Sequence, residues 1–142
     1  MLYSFARALL IPIFLFFYNY RVIGRENIPK DGAYIVCSNH VSAIDPIFVG
    51  ISIPHRMYFM AKVELFKNKL IGALMHGLGV FPIKRGEADI KGIKTSLKIL
   101  NRGKVLALFP EGTRNKTDEA IAEPGIAMIA IRSKTPVVPV AI

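Results

Sequence analysis

Ala33-Tyr34-Ile35-Val36-Cys37-Ser38-Asn39-His40-Val41-Ser42-Ala43-Ile44-Asp45-Pro46 passes from an apolar run, through a polar loop, to a helix start. Ala33 to Ser38 reads as a buried strand. Asp45-Pro46 opens a short helix, Pro46 to Ile53, because aspartate accepts from free N–H groups at a helix start and proline is pre-set for the first helical position. Strand, loop and helix in that order form the repeating unit of an α/β layer. In such layers the loops after the carboxyl ends of strands collect ligands and catalytic groups.

The same alternation continues downstream. Met57 to Ala61 reads as a strand, Leu65 to Met75 has apolar residues at helical spacing, and Gly79 to Ile83 is another strand. From Asp89 to Asn101 the residues Ile90, Ile93, Leu97 and Leu100 fall on one stripe, with Lys91, Lys94, Lys98 and Arg102 elsewhere, and Gly103 supplies a stop. Val105 to Phe109 is a strand, Gly125 to Arg132 a helix, and Pro136 to Ile142 a last strand. The expectation is an α/β fold with a largely parallel or mixed central sheet flanked by helices. At 142 residues the chain fits one domain.

Upstream, Ala8 to Tyr18 is apolar without a break, with Arg7 before it and Arg21 after. A bilayer-spanning helix needs about 20 such residues, so this run falls short. Tyr18-Asn19-Tyr20-Arg21 offers no small-residue cleavage site for a signal peptide. A buried core helix and an interfacial helix remain, and the aromatic cluster from Phe14 to Tyr18 beside a basic end favours the interface. Residues 1–20 are therefore read as a membrane-interface helical anchor and 21–142 as the main domain. Pro12 is expected to bend that helix or divide it in two.

Nineteen Lys and Arg against ten Asp and Glu give a net charge of +9, but the basic residues are scattered. Either a solvated basic surface or one suited to anionic partners accounts for this. With no Trp and no interleaved aromatic and basic array, nucleic acid is the weakest candidate partner. The single cysteine, Cys37, excludes a disulfide framework and a thiolate metal cluster, and is compatible with a cytosolic environment. It is read as buried, facing away from His40 three residues on.

Three polar clusters follow strands. In the first, His40 and Asp45 lie too far around a helix to meet, about 140° apart at that spacing. A turn between strand and helix brings them together, with the carboxylate on one ring nitrogen and the other nitrogen free to take a proton. Spacing alone favours the plainer reading, in which Asp45 is a cap and His40 a loop residue. The second cluster ends a strand with Lys84 and Arg85. The arginine's planar fork suits a phosphate, and a solvated basic strand end is the equal alternative. The third, Phe109-Pro110-Glu111-Gly112-Thr113-Arg114-Asn115, permits a tight backbone approach at Gly112 and offers a further phosphate or carboxylate ligand in Arg114, with Glu111 alternatively a salt-bridge partner for the arginines. No phosphate-binding P-loop, dinucleotide glycine fingerprint or zinc pattern is present, so no metal is expected. His55 and His76 show no recognisable partners and read as structural.

Taken in order, Asn39-His40-Val41-Ser42-Ala43-Ile44-Asp45, Gly79-Val80-Phe81-Pro82-Ile83-Lys84-Arg85, Phe109-Pro110-Glu111-Gly112-Thr113-Arg114 and Val137-Val138-Pro139-Val140 resemble the four motifs of the glycerolipid acyltransferases. The resemblance is nearest to the 1-acyl-sn-glycerol-3-phosphate acyltransferases and runs from about Gly24 to the last residue, with Met60 to Phe66 also similar. It implies acyl transfer from acyl-CoA or acyl carrier protein, a thioester co-substrate and not a cofactor, to the sn-2 hydroxyl of a lysophospholipid acceptor. His40 would be the general base and Asp45 its orienting carboxylate. Lys84, Arg85 and Arg114 would hold the acceptor phosphate, and Glu111, Gly112 and Thr113 would shape its pocket. The resemblance further implies an enzyme of phospholipid biosynthesis at the cytoplasmic face of the cell membrane, monotopic or peripheral. Other acceptors, such as glycerol 3-phosphate or another lysolipid, and a non-catalytic membrane-binding module share the motifs. Family members usually continue past the fourth motif, so a truncated or fragmentary member is expected.

Overall fold

The computed structural model describes residues 1–84, 89–112 and 124–142. Five strands, β1 (Ile35–Ser38), β2 (Met57–Lys62), β3 (Val80–Ile83), β4 (Val105–Leu108) and β5 (Val137–Val140), form one sheet in the order β3-β2-β4-β1-β5. Every pairing is parallel. The helices are α1 (Leu2–Tyr18), α2 (Asp45–Ser52), α3 (Lys69–Gly77), α4 (Ile90–Leu100) and α5 (Pro124–Ser133). The α/β expectation holds, and the sheet is parallel throughout.

The central strand β4, Val105-Leu106-Ala107-Leu108, is buried at every position, as a strand covered on both faces must be. Its alternate residues feed two cores. Val105 and Ala107 join Val36, Phe59, Val49 of α2, Ile53 just after it, and Tyr3 of α1 on one face. Leu106 and Leu108 join Ile35, Phe81, Leu100 of α4 and Ile129 of α5 on the other. Truncating the fully buried Leu106 to alanine is the kind of change that costs about 2–5 kcal/mol. Both edge strands carry a proline, Pro82 in β3 and Pro139 in β5, where a missing N–H discourages further strand addition.

Several local expectations need correction. Pro12 does not divide α1, which runs unbroken from Leu2 to Tyr18; the ring is exposed, on the side away from the core. The helical spacing of Leu65 to Met75 spans two elements, a 3-10 turn (Val63–Phe66) and α3, because Asn68 caps the latter by accepting from the N–H groups of Leu70 and Ile71. In α4 the buried positions are Gly92, Ser96 and Leu100, while Ile90 is 63% exposed. Ser96 tolerates burial because its hydroxyl donates to the Gly92 carbonyl at 2.7 Å. Cys37 is half-buried, and desolvation pushes its thiol up. His55 has partners after all: Nε2 donates to the Lys30 carbonyl at 2.9 Å, which leaves Nδ1 to accept from the Tyr34 hydroxyl at 2.8 Å. Burial pushes that phenol up to about 12.

Helix α1 presents two apolar sides. Tyr3 and Phe14 pack on the domain, with Phe14 edge-on to Phe48 of α2 at 4.8 Å. Leu2, Phe5, Leu9, Ile13 and Phe16, spaced three and four apart, are exposed. Among the described residues no helix is long and apolar enough to cross a membrane.

Candidate active site

The connection after β1 leads to α2 on one face of the sheet, and α5, which follows β4, packs on the other. β1 and β4 are neighbours whose following helices pack on opposite faces, the arrangement at whose carboxyl edge parallel sheets bind ligands. His40 follows β1 at this edge, and Phe109 and Glu111 follow β4.

His40 Nδ1 lies 3.0 Å from Asp45 Oδ2. The same oxygen accepts from the backbone N–H groups of Val41 and Ser42, each at 2.7 Å. Asp45 is only 2% exposed, so this carboxylate works in a desolvated turn. Oδ2 is committed as an acceptor, which places the imidazole proton on Nδ1. Nε2 then holds a lone pair and makes no hydrogen bond among the described residues. The opposing ring of Phe109 stacks on the imidazole, 4.4 Å between centroids and 29° between planes.

The cap reading of Asp45 does not hold. The residue at the cap position of α2 is Ile44, with no side-chain cap hydrogen bond, and the Asp45 carboxylate turns back onto Val41 and Ser42. A turn with those two N–H groups aimed inward is what lets residues five apart meet.

Lys84 follows the last residue of β3 and is exposed. Its backbone N–H donates to Asp89 Oδ2 at 2.7 Å. Glu111 is half-buried, and its Oε2 has no hydrogen-bond partner among the described residues. Gly112 has φ +61°, which glycine adopts without strain, and closes a turn by donating to the Phe109 carbonyl at 3.0 Å. Arg85, Thr113 and Arg114 lie outside the described residues. Among those described, no three His, Cys, Asp or Glu side chains stand close enough to hold a metal ion.

Two contributors had no role assigned from sequence. Phe109 was quoted within a motif, but only the β1–β4 pairing shows that its ring meets His40. Asn39 exchanges two hydrogen bonds with Ile142, donating from Nδ2 to its carbonyl at 3.2 Å and accepting from its N–H at 2.9 Å. No local pattern could have signalled that contact.

A family model described as acyltransferase matches residues 19–142. The chain is 36% identical over 122 residues to the 1-acyl-sn-glycerol-3-phosphate acyltransferase of Bacillus subtilis (strain 168), covering 85% of this chain and 61% of that protein. To the enzyme of the same name from Streptococcus pneumoniae it is 33% identical over 118 residues, covering 81% and 44%. The crystal structure of the 1-acyl-sn-glycerophosphate (LPA) acyltransferase, PlsC, from Thermotoga maritima superposes with a TM-score of 0.68 at 30% identity, over 82% of this chain and 47% of that one. The chain thus spans about half the length of the relatives it matches.

Proposed function

The chain belongs to the acyltransferase family, and we propose that it moves a fatty-acyl group from acyl-CoA or acyl carrier protein to the sn-2 hydroxyl of 1-acyl-sn-glycerol 3-phosphate, giving phosphatidic acid. The observation that carries this reading is the His40–Asp45 contact at 3.0 Å at the carboxyl edge of the sheet, with Nε2 making no hydrogen bond among the described residues. Nε2 takes the acceptor's hydroxyl proton as its oxygen forms a bond to the thioester carbonyl carbon. The tetrahedral adduct then collapses, the carbon–sulfur bond breaks, and the imidazolium returns the proton to the departing thiolate. Asp45 holds the ring and balances its transient charge. The face of Phe109 adds attraction for a cationic imidazole.

In this reading Arg85 and Arg114 grip the acceptor phosphate, with Lys84 adding charge, while Glu111, Gly112 and Thr113 shape the pocket. Lys84 and Glu111 leave the same edge of the parallel sheet as His40, which supports one shared site. A phosphate held at a fixed distance from the base orients the hydroxyl, and such positioning lowers barriers substantially. Residues 1–20 would seat the acyltransferase domain, 21–142, on the cytoplasmic face of a membrane through the exposed stripe of α1.

His40→Ala should lower turnover of lysophosphatidic acid in reconstituted membranes by about 10²–10⁴, with circular dichroism unchanged. A rate near the parent's would remove His40 from the base role. Equal turnover of a phosphate-free acceptor would reject the arginine clamp.

A further inference from the structure

We propose that the cleft between α1 and the start of β2 binds a phosphate group, of the kind an anionic lipid or inorganic phosphate presents, at a place separate from His40 and Asp45. The inference does not depend on the acyl-transfer reading. The cleft, about 210 Å³, is lined by Tyr3, Ser4, Arg7, Ile11, Pro54 and Arg56 among others, and no carboxylate lines it. Among the described residues neither arginine forms an ion pair.

Arg7 is held in place by the carboxyl end of α2. Its two terminal nitrogens donate to the carbonyls of Pro54 and Ile51, each at 3.3 Å, where the negative end of the helix dipole favours a cation. The remaining nitrogen, Nε, is buried with no partner among the described residues. Each terminal nitrogen has a second N–H, to which an anion in the cleft offers a charge-assisted acceptor. Arg56 reaches the same space from the opposite wall. Its guanidinium lies 5.5 Å from the ring centroid of Tyr58 and 6.0 Å from that of Tyr3, and makes one long hydrogen bond, 3.4 Å, to the Gly77 carbonyl. Ring faces at these distances attract the cation without using its N–H groups. Ser4 adds an exposed hydroxyl donor.

The two sites stand at opposite edges of the sheet. Arg56 precedes the first residue of β2, whereas His40 follows the last residue of β1, and all strands run parallel. The six residues of β2 span roughly 20 Å. An acceptor whose hydroxyl meets His40 cannot place its own phosphate here, so the ligand is a second molecule or a second lipid.

The test uses the full 142-residue chain. Inorganic phosphate is titrated while the arginine Nε–H resonances are followed by NMR. In parallel, co-sedimentation is measured with phosphatidylcholine vesicles, with and without phosphatidic acid. Arg56→Gln is the main variant, since it gives up one weak bond. Arg7→Lys is the second, and Lys98→Gln on α4, across the sheet, is the equal-charge control. Expected is a shift of the Arg7 Nε–H resonance on ligand addition, and a loss of affinity in Arg56→Gln about five-fold beyond that of Lys98→Gln. A response in the vesicle arm alone assigns the site to lipid phosphate, and one in the inorganic arm alone to free phosphate. An unmoved Nε–H resonance, with Lys98→Gln losing as much as Arg56→Gln, overturns the site and leaves only the field of the net charge.

Discussion

Two turns at the carboxyl edge of the sheet are closed in the same way and differ in what they expose. After β1, Asp45 collects the N–H groups of Val41 and Ser42. After β3, Asp89 collects those of Lys84, at 2.7 Å, and Gly92, at 2.9 Å. In both, one carboxylate folds a strand end onto a helix start. Asp89 is a true helix cap whose donors among the described residues are backbone N–H groups, and those donors hold its carboxyl below the usual range. Asp45 has a third donor, an imidazole, and lies deeper. The same backbone device only closes one turn and also holds an imidazole in the other, and the adjoining histidine makes the difference.

The comparison breaks most visibly at Asp45. Asp45→Asn replaces an oxygen acceptor that three donors share and disturbs the tautomer of His40, so acyl transfer should fall by about 10² or more. Stability should fall as well, because a buried N–H left without its acceptor costs about 1–3 kcal/mol. Steady-state rates and urea midpoints test both, and a variant near parent activity would reduce Asp45 to the role of Asp89. Phe109→Leu keeps the apolar volume but removes the ring from His40. An aromatic pair is worth about 0.5–1.5 kcal/mol, so kcat should drop about two- to ten-fold with little change in KM. An effect on KM alone would place Phe109 in substrate binding instead.

The smallest effect is expected at Asp89. Asp89→Ala removes a cap worth about 1 kcal/mol and should lower Tm by a few degrees while leaving kcat unchanged. Its carboxyl is depressed in the folded state, so its stabilisation is complete at neutral pH. That contribution fades as pH falls through the ordinary carboxylate range toward the folded value. Melting temperatures of parent and variant should therefore converge in acid. A gap that stays constant with pH would show that the charge of Asp89 does not matter.

Much of the fold was legible because alternation at period two and three-to-four is local. Strand β4 and the helix after β3 were both placed within a residue or two. What escaped was decided by contacts between distant segments. Ser96 lies off the apolar stripe, yet its bond to Gly92 lets it sit in the core, while Ile90 on that stripe reaches solvent. The site followed the same division. Asp45-Pro46 announced the helix correctly, but the direction of the carboxylate depends on the loop backbone, which spacing does not encode. The place of Phe109 over His40 depends on which strands are neighbours, and sequence order puts β4 far from β1.

The two hydrogen bonds between Asn39 and Ile142 join positions 103 residues apart. Asn39 immediately precedes His40, so its side chain ties the histidine loop to the segment beyond β5. Contacts of such long sequence separation form late, after closure entropy has been met by other parts of the fold. The setting of the imidazole against Asp45 then becomes a property of the finished sheet, withheld until its fifth strand has docked.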